Sequence, residues 1–150
     1  MDLILWRHCD AEAGAPDELR RLTPLGLQQA ARVAQWLAPR LPDGCRIVVS
    51  PAVRAQQTAQ ALDRRFRTVR AVGPGASAAA LLGATDWPAA GGSVLVVAHQ
   101  PTLGRVASLL LEGKEVDRPL EAGAIVWLSR RPSAGDARAV LKAAIGPGSP

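Results

Sequence analysis

Cysteines, aromatic residues and long apolar runs are all scarce in this sequence. Its two cysteines, Cys9 and Cys45, are too few for a disulfide framework, and they favour a reducing, cytoplasmic location. Apolar runs such as VLVVA at 94–98 are far too short to cross a bilayer, and the MDLILWRHC start lacks the features of a signal peptide. We therefore expect a soluble protein without a membrane partner.

The scarcity of aromatic residues and of metal ligands argues against two further classes of protein. With one Phe and no Tyr, the chain lacks a stacking platform for single-stranded nucleic acid, so no nucleic-acid partner is expected. Its two histidines and two cysteines show no metal-ligand spacing, so we expect neither a metal nor a cofactor. The net charge of +5, carried mostly by arginine, suits an anionic partner such as phosphate, although a solvated basic surface would have the same composition.

Apolar strands alternate with helical patterns along the chain. We predict strands at 3–6, 46–50, 68–72, 93–99, 124–129 and 137–143, with a hairpin across 130–136. We predict helices at 24–37, 51–66, 76–82 and 102–111, the first two capped by Thr23 and Ser50. This alternation predicts a single domain over 1–150, with a mostly parallel sheet, helices on both faces and a frayed tail from 145.

Polar side chains stand at the carboxyl ends of three predicted strands. Arg7 and His8 follow the first strand, and His99 ends the most apolar one. Ser50 ends the second strand, and Arg54 lies one turn into the helix that follows. Ligands of open parallel sheets bind beyond these strand ends. Both histidines of the chain are therefore expected on one rim of the sheet.

These side chains match the requirements of phosphoryl transfer through a covalent intermediate. A neutral imidazole is a good nucleophile near pH 7 when an acceptor holds its other ring nitrogen. Planar guanidinium groups bind two phosphoryl oxygens at once, and a second imidazole, protonated beside a dianion, adds a charged donor. Each residue alone is more often structural, but together His8, His99, Arg7 and Arg54 supply the whole set.

Three segments resemble the signatures of the histidine phosphatase superfamily. The segment LWRHCDA at 5–11 resembles its Arg-His-Gly signature, and SPAVRAQQTA at 50–59 resembles Ser-Pro-x-x-Arg-Ala-x-Gln-Thr. The segment VVAHQPTLG at 96–104 resembles the third signature, in which a second histidine precedes a helix. The small size, RRLTPLG at 20–26 and the AHQP form further resemble the short SixA-type phosphohistidine phosphatases, which lack the inserted cap regions of phosphoglycerate mutases.

The resemblance implies a fold and a set of roles. The fold is a three-layer α/β/α sandwich of the phosphoglycerate mutase type, without a large cap domain. The implied nucleophile is His8, the second active-site histidine is His99, and the phosphoryl oxygens are bound by Arg7 and Arg54. Further substrate contacts are expected from Arg20, with Arg21 as the competing candidate, and from Ser50, Cys9 and Gln100.

Cys9 departs from the signature, which has glycine at that position. One interpretation is a packing variant, since a small side chain can replace glycine where the backbone allows it. The other is a thiol near arginines, with a lowered pKa and sensitivity to oxidation. The sequence leaves both open.

The chain also lacks the acidic residue that many members carry between the second and third signatures. Residues 68–99 contain one acid, Asp86, and the acids of the loop after the first strand are Asp10, Glu12, Asp17 and Glu18. An alkoxide leaving group needs a proton from an acid, whereas the imidazole of phosphohistidine can already carry one on its other nitrogen. We therefore predict a phosphatase acting on phosphohistidine of a protein such as a phosphorelay domain. A phosphatase of small metabolites and a non-catalytic phosphate-binding module remain alternatives.

Overall fold

The computed structural model describes residues 1–130 and 138–150, and its strands form one sheet. The strands are β1 (Asp2–Arg7), β2 (Arg46–Val49), β3 (Arg67–Thr68), β4 (Val94–Ala98), β5 (Ile125–Ser129) and β6 (Val140–Ile145). Their order across the sheet is β3-β2-β4-β1-β5-β6. Strands β1 to β4 are parallel, and β5 runs antiparallel to both β1 and β6. The prediction of a mostly parallel sheet is confirmed.

Helices connect the parallel strands. The α-helices are α1 (Pro24–Leu37), α2 (Val53–Gln60), α3 (Ala78–Thr85) and α4 (Thr102–Glu112), and short 3-10 helices occupy Asp17–Leu19, Ala38–Arg40 and Arg70–Val72. Helix α1 begins where the sequence predicted. The Thr23 hydroxyl oxygen accepts a hydrogen bond from Gly26 N at 2.9 Å, and Pro24 occupies the first turn, where no backbone donor is needed.

The helices cover the sheet on both faces. Leu37 of α1 belongs to the same buried cluster as Ile4 and Val97. Leu103 of α4 belongs to a second cluster, with Leu5 on the opposite face. Consecutive residues of β1 thus enter different cores, as the two-residue period of a strand requires. The three-layer α/β/α architecture is confirmed.

Helix α2 is shorter than predicted. It ends at Gln60 rather than near residue 66, and Asp63 has a left-handed backbone conformation with a φ of 52°. That conformation cannot continue a right-handed helix. The following residues therefore form turns and irregular chain that lead into β3.

The stretch between α2 and β4 also differs from the prediction. The strand expected at 68–72 is confined to Arg67–Thr68 at the sheet edge, because residues 70–72 turn into a 3-10 helix. Helix α3 begins two residues later than the predicted 76–82. The Ser77 hydroxyl decides this start, since it accepts a hydrogen bond at 3.0 Å from a backbone N–H of the first turn.

The last two strands pair antiparallel as predicted, but β6 begins at Val140 rather than at 137. The hairpin connection expected across 130–136 lies mostly in 131–137, outside the described residues. The frayed tail expected from 145 stays a prediction; in the structure Ile145 pairs with Ile125 and Pro147 is buried. The single-domain organisation over 1–150 stays a prediction.

Candidate active site

The carboxyl ends of β1, β2 and β4 meet on one rim of the sheet. The parallel register pairs Arg7 with Ala98, and His8 N continues it by donating to Ala98 O at 3.1 Å. This register brings His8 beside His99, with their ring centroids 5.1 Å apart. Both histidines of the chain therefore lie on one rim, as the sequence predicted.

An open cavity of about 370 Å³ lies at this rim. Three arginines, two histidines and two aspartates contribute to its lining: Arg7, Arg20, Arg54, His8, His99, Asp10 and Asp17. The arginines come from the end of β1, the loop before α1 and the first turn of α2. Three parts of the chain thus place positive charge around one small, strongly polar space, which suits an anionic ligand.

His8 is held in one tautomer by its own neighbour. Its Nδ1 lies 2.8 Å from the carbonyl oxygen of Cys9, and a carbonyl can only accept, so Nδ1 carries the proton and Nε2 keeps a free lone pair. His8 is 7% exposed. Burial, aided by the charges of Arg54 and Arg7, lowers the pKa of His8 to about 4 despite the hydrogen bond to Cys9. The ring is therefore neutral near pH 7.

His99 is held from both sides of its ring. Arg54 Nη2 lies 3.4 Å from His99 Nδ1 and can only donate, so Nδ1 accepts and Nε2 donates to the Ser50 hydroxyl at 2.7 Å. Burial, together with the charges of His8 and Arg54, lowers the pKa of His99 to about 3. This ring is neutral in the free protein, and the protonated form that the sequence predicts requires a bound dianion.

Arg7 and Arg54 each keep a buried donor without a partner. Arg7 Nη1 donates to Leu120 O at 2.9 Å, and Arg54 donates to Asp17 through Nη1 and Nη2. The Nε–H groups of both arginines are buried and make no hydrogen bond within the described part of the chain. An unsatisfied buried donor is costly. Both side chains line the cavity, so their guanidinium groups place positive charge where an oxyanion would bind.

The structure distinguishes between the two neighbouring arginines of the loop. Arg20 lines the cavity, donating from Nε to Asp17 Oδ1 at 3.0 Å and from Nη1 to Glu12 O at 3.1 Å. Arg21 is exposed and lies outside the cavity lining. Of the two candidates, Arg20 is the one placed to reach a ligand.

Ser50 and Gln100 have other contacts than the expected ones to substrate. The Ser50 hydroxyl is fully buried between His99 Nε2 and the N–H of Ala52, and Ser50 does not line the cavity. Gln100 does line it, but its amide donates to Arg118 O and accepts from Gly104 N, both at 2.7 Å. Both side chains orient the site rather than offering free donors to it.

Comparison with known proteins agrees with this geometry. Residues 3–72 match the model of the histidine phosphatase superfamily, branch 1. A phosphohistidine phosphatase SixA homolog of Haemophilus influenzae is 32% identical over 126 residues, which cover 73% of this chain and 77% of that protein. The chain belongs to the histidine phosphatase superfamily.

Further relatives place the chain among the SixA-type members of the superfamily. Phosphohistidine phosphatase SixA of Escherichia coli is 30% identical over 125 residues, which cover 76% of each chain. The solved structure of a protein histidine phosphatase SixA with tungstate superposes with a TM-score of 0.80, at 25% identity, over 99% of this chain and 98% of that one. The protein is therefore a phosphatase, and its fold is phosphoglycerate mutase-like.

Cys9, which replaces the glycine of the superfamily signature, is a buried packing residue. It is fully buried and lies outside the cavity lining. Its sulfur packs against Gly123, where an added Cβ would lie only 3.3 Å from it. Burial raises the pKa of the Cys9 thiol to about 12. The thiolate needed for ready oxidation is thereby suppressed, which favours the packing interpretation over the redox one.

Thr58 is a further residue of the site, which the sequence analysis did not identify. Its hydroxyl accepts from Cys9 N at 3.0 Å and donates to Arg54 O at 2.8 Å, so it joins α2 to the chain after β1. The carbonyl that orients His8 also belongs to Cys9, so Thr58 fixes the backbone of the residue that orients the imidazole. The available signal was its place in the RAQQT segment, four residues after Arg54.

None of the acids considered from the sequence is placed as a proton donor. Asp86 ends α3 in a left-handed conformation away from the cavity, and Glu12 and Glu18 are exposed outside its lining. Asp10 Oδ2 accepts from the Thr23 hydroxyl at 2.7 Å. Burial acts to raise the pKa of Asp17, but hydrogen bonds from Arg54 and Arg20 and their charges outweigh it and lower that pKa.

Metal ligands and membrane-spanning helices can be assessed for residues 1–130 and 138–150. No group of three or more His, Cys, Asp or Glu side chains there could hold a metal ion. Nor is any helix in that part of the chain long and apolar enough to span a membrane.

Proposed function

We propose that this phosphatase hydrolyses phosphohistidine on a protein, through a phosphohistidine intermediate on His8. The observation that carries the proposal is the lining of one cavity, where Arg7 and Arg54 stand beside a neutral imidazole with its Nε2 lone pair free. An anion-binding site is thus combined with a nucleophile in one cavity. Two relatives named phosphohistidine phosphatases support the choice of substrate.

In the first step, His8 Nε2 attacks phosphorus while Arg7 and Arg54 bind the phosphoryl oxygens. The P–N bond of the substrate breaks, and its electron pair returns to the substrate ring. The Nδ1 proton of His8 stays bonded to the Cys9 carbonyl, which stabilises the positive charge that develops on the ring. The bound dianion raises the pKa of His99, so that protonation of Nδ1, which accepts from Arg54 in the free protein, adds positive charge beside the phosphoryl group.

In the second step, water attacks phosphorus in the phosphoenzyme. The bond to His8 Nε2 breaks, and its electron pair returns to the imidazole, which is neutral again. Both protons of the water end on the released phosphate, which leaves as dihydrogen phosphate. The two steps therefore balance without a metal or a cofactor.

The acids of the cavity favour a P–N bond over a phosphate ester. An alkoxide needs a proton from an acid as it leaves, whereas a protonated phosphoimidazole leaves as neutral imidazole. Asp17 is a poor proton donor, since Arg54 and Arg20 lower its pKa. Asp10 is engaged with the Thr23 hydroxyl. The site is therefore suited to a leaving group, such as the imidazole of a protonated phosphoimidazole, that needs no proton from an acid of the enzyme.

A panel of substrates tests this proposal. We expect a higher kcat/KM on a phosphohistidine protein than on sugar phosphates or nucleotides, and a phosphoenzyme on His8 that can be trapped by an acid-free quench. The His8→Ala variant should form no phosphoenzyme and release no burst of product from a chromogenic ester. A higher kcat/KM on sugar phosphates would overturn the substrate, and failure to form a phosphoenzyme would overturn the mechanism.

We also propose a cytoplasmic location and a phosphorylated protein, such as a phosphorelay domain, as partner. Both cysteines, Cys9 and Cys45, are free, which fits a reducing compartment. The cavity is open, so that a phosphorylated side chain could reach it while still part of a folded domain.

A further inference from the structure

Asp17 belongs to the cavity, yet the proposed mechanism gives it no part. Its carboxylate accepts from Arg54 Nη2 at 3.1 Å and from Arg20 Nε at 3.0 Å, and its carbonyl oxygen accepts from Arg54 Nη1 at 2.8 Å. Its side chain nevertheless remains 55% exposed. We propose that Asp17 is a specificity-determining residue, which selects a phosphoimidazole that carries a proton on its other ring nitrogen. This inference rests on the proposed function.

The direction of transfer places the leaving group beside Asp17. In-line displacement requires the attacking and leaving atoms to lie on opposite sides of phosphorus. All three residues line the cavity, but His8 and Arg54 are nearly buried whereas the Asp17 side chain is largely exposed, so we take the Asp17 end as the mouth of the cavity. A phosphoryl group attacked from His8 therefore directs its leaving nitrogen towards the mouth.

Asp17 can accept one more hydrogen bond without losing those it has. Each of its carboxylate oxygens accepts one hydrogen bond from an arginine and retains a further lone-pair site. The two arginines also keep the carboxylate ionised, since they lower its pKa. Asp10, the other carboxylate of the cavity, is tied to α1 through the Thr23 hydroxyl. Asp17 is thus the carboxylate available to accept a hydrogen bond from the N–H group of a leaving imidazole.

The chemistry of the step explains why this acceptor is selective. In the substrate, one ring nitrogen carries the phosphoryl group and the other carries a proton. As His8 Nε2 bonds to phosphorus, the P–N bond breaks and its electron pair returns to the ring, which leaves as neutral imidazole with that proton in place. Asp17 accepts a hydrogen bond from this N–H and takes up no proton. A leaving phenolate or alkoxide offers no N–H and is repelled by the carboxylate.

The Asp17→Asn variant tests this role with two substrates. One is a phosphohistidine peptide, and the other is p-nitrophenyl phosphate, whose leaving group becomes an anion. We expect the ratio of their kcat/KM values, peptide over ester, to fall about tenfold, because a charged hydrogen bond to the leaving ring is lost and a repulsion of the phenolate is relieved. The matched control is Glu18→Gln, which removes the same charge from the same 3-10 helix outside the cavity and should keep the ratio.

The outcomes separate this inference from the proposed function. If both kcat/KM values of Asp17→Asn fall by one factor, the carboxylate acts only by holding Arg54, and the inference is overturned. If both rise by one factor, it only competes with the phosphoryl group, and the inference is overturned again. A wild-type enzyme that turns over the ester and not the peptide overturns the proposed function itself. Thermal unfolding of each variant confirms that it is folded.

Discussion

At the scale of single residues, the neutrality of the two histidines is set by their surroundings. His8 and His99 are 7% and 3% exposed and lie among the cations of the cavity, so that adding a proton to either ring is unfavourable. An imidazole that stays neutral keeps its lone pair for attack. The same burial has a consequence for the stability of the fold.

The free energy of unfolding should fall as the pH is lowered from about 6.5 to about 5. In the unfolded chain both histidines take up protons near pH 6.5, whereas in the folded protein their pKa values are lowered to about 4 and about 3. The unfolded state therefore binds more protons in this window, and stability is lost at roughly 1 to 3 kcal/mol per pH unit. Urea unfolding at several pH values measures this slope.

The control for this prediction is the double variant His8→Gln, His99→Gln, which has no imidazole to titrate. Its stability should vary much less over the same pH window. Equal slopes for the variant and the wild type would show that other groups cause the pH dependence and that the histidines are not held neutral by the fold.

At the scale of elements, the end of β1 is held by two other parts of the chain. Gly123, just before β5, donates from its N–H to the carbonyl oxygens of Arg7 and His8 at 3.1 and 3.0 Å, and its own carbonyl accepts from Trp6 Nε1. Helix α2 holds the other side through the Thr58 hydroxyl. The position of His8 is therefore a property of β1, α2 and the segment before β5 together.

Replacing Thr58 with valine should affect both stability and catalysis. The variant keeps the shape of the side chain but leaves the buried Cys9 N–H without an acceptor, at a cost of roughly 1–3 kcal/mol in the free energy of unfolding. Because the Cys9 carbonyl orients His8, we expect kcat to fall more than KM rises. Denaturant unfolding and steady-state kinetics measure the two effects.

The conservative change Thr58→Ser is the matched control, since it retains the hydroxyl that bridges Cys9 and Arg54. It should recover most of kcat. A Thr58→Ser variant as impaired as Thr58→Val would mean that the methyl group, and not the hydrogen bond, matters at this position.

At the scale of the whole molecule, β1 is the strand on which both layers of helices depend. It pairs with β4 on one side and with β5 on the other, and its side chains enter both cores in turn. His8 of the candidate active site follows the last residue of this strand. The stability of the fold and the placement of His8 therefore share one element.

A cavity in the core next to β1 should weaken the whole fold. Leu5 is fully buried in the core that contains α3 and α4, so Leu5→Ala is expected to lower the free energy of unfolding by about 2–5 kcal/mol. Val140 is 69% exposed, and Val140→Ala in β6 serves as the control, with an expected change below about 0.5 kcal/mol. Similar losses in the two variants would contradict the central place of β1.

Local patterns in the sequence were enough to predict most of the fold and the principal residues of the site. Alternating strands and helices, together with polar residues at strand ends, place His8, His99, Arg7 and Arg54 on one rim, because parallel strands bring their carboxyl ends to one edge. The length of α2 was not predictable in this way. The helix ends before Asp63, whose left-handed backbone conformation cannot be predicted from the spacing of apolar residues.

The tertiary structure alone decided the state and the partners of these residues. That Arg20 and not Arg21 faces the cavity, that the Cys9 thiol is packed away and that Ser50 bonds to His99 all depend on residues distant in the chain. The contact between Asp17 and Arg54 is of the same kind, since 37 positions separate them. Residue type and spacing determine which groups reach the rim, whereas burial and hydrogen-bond partners, which determine charge and tautomer, exist only once the chain is folded.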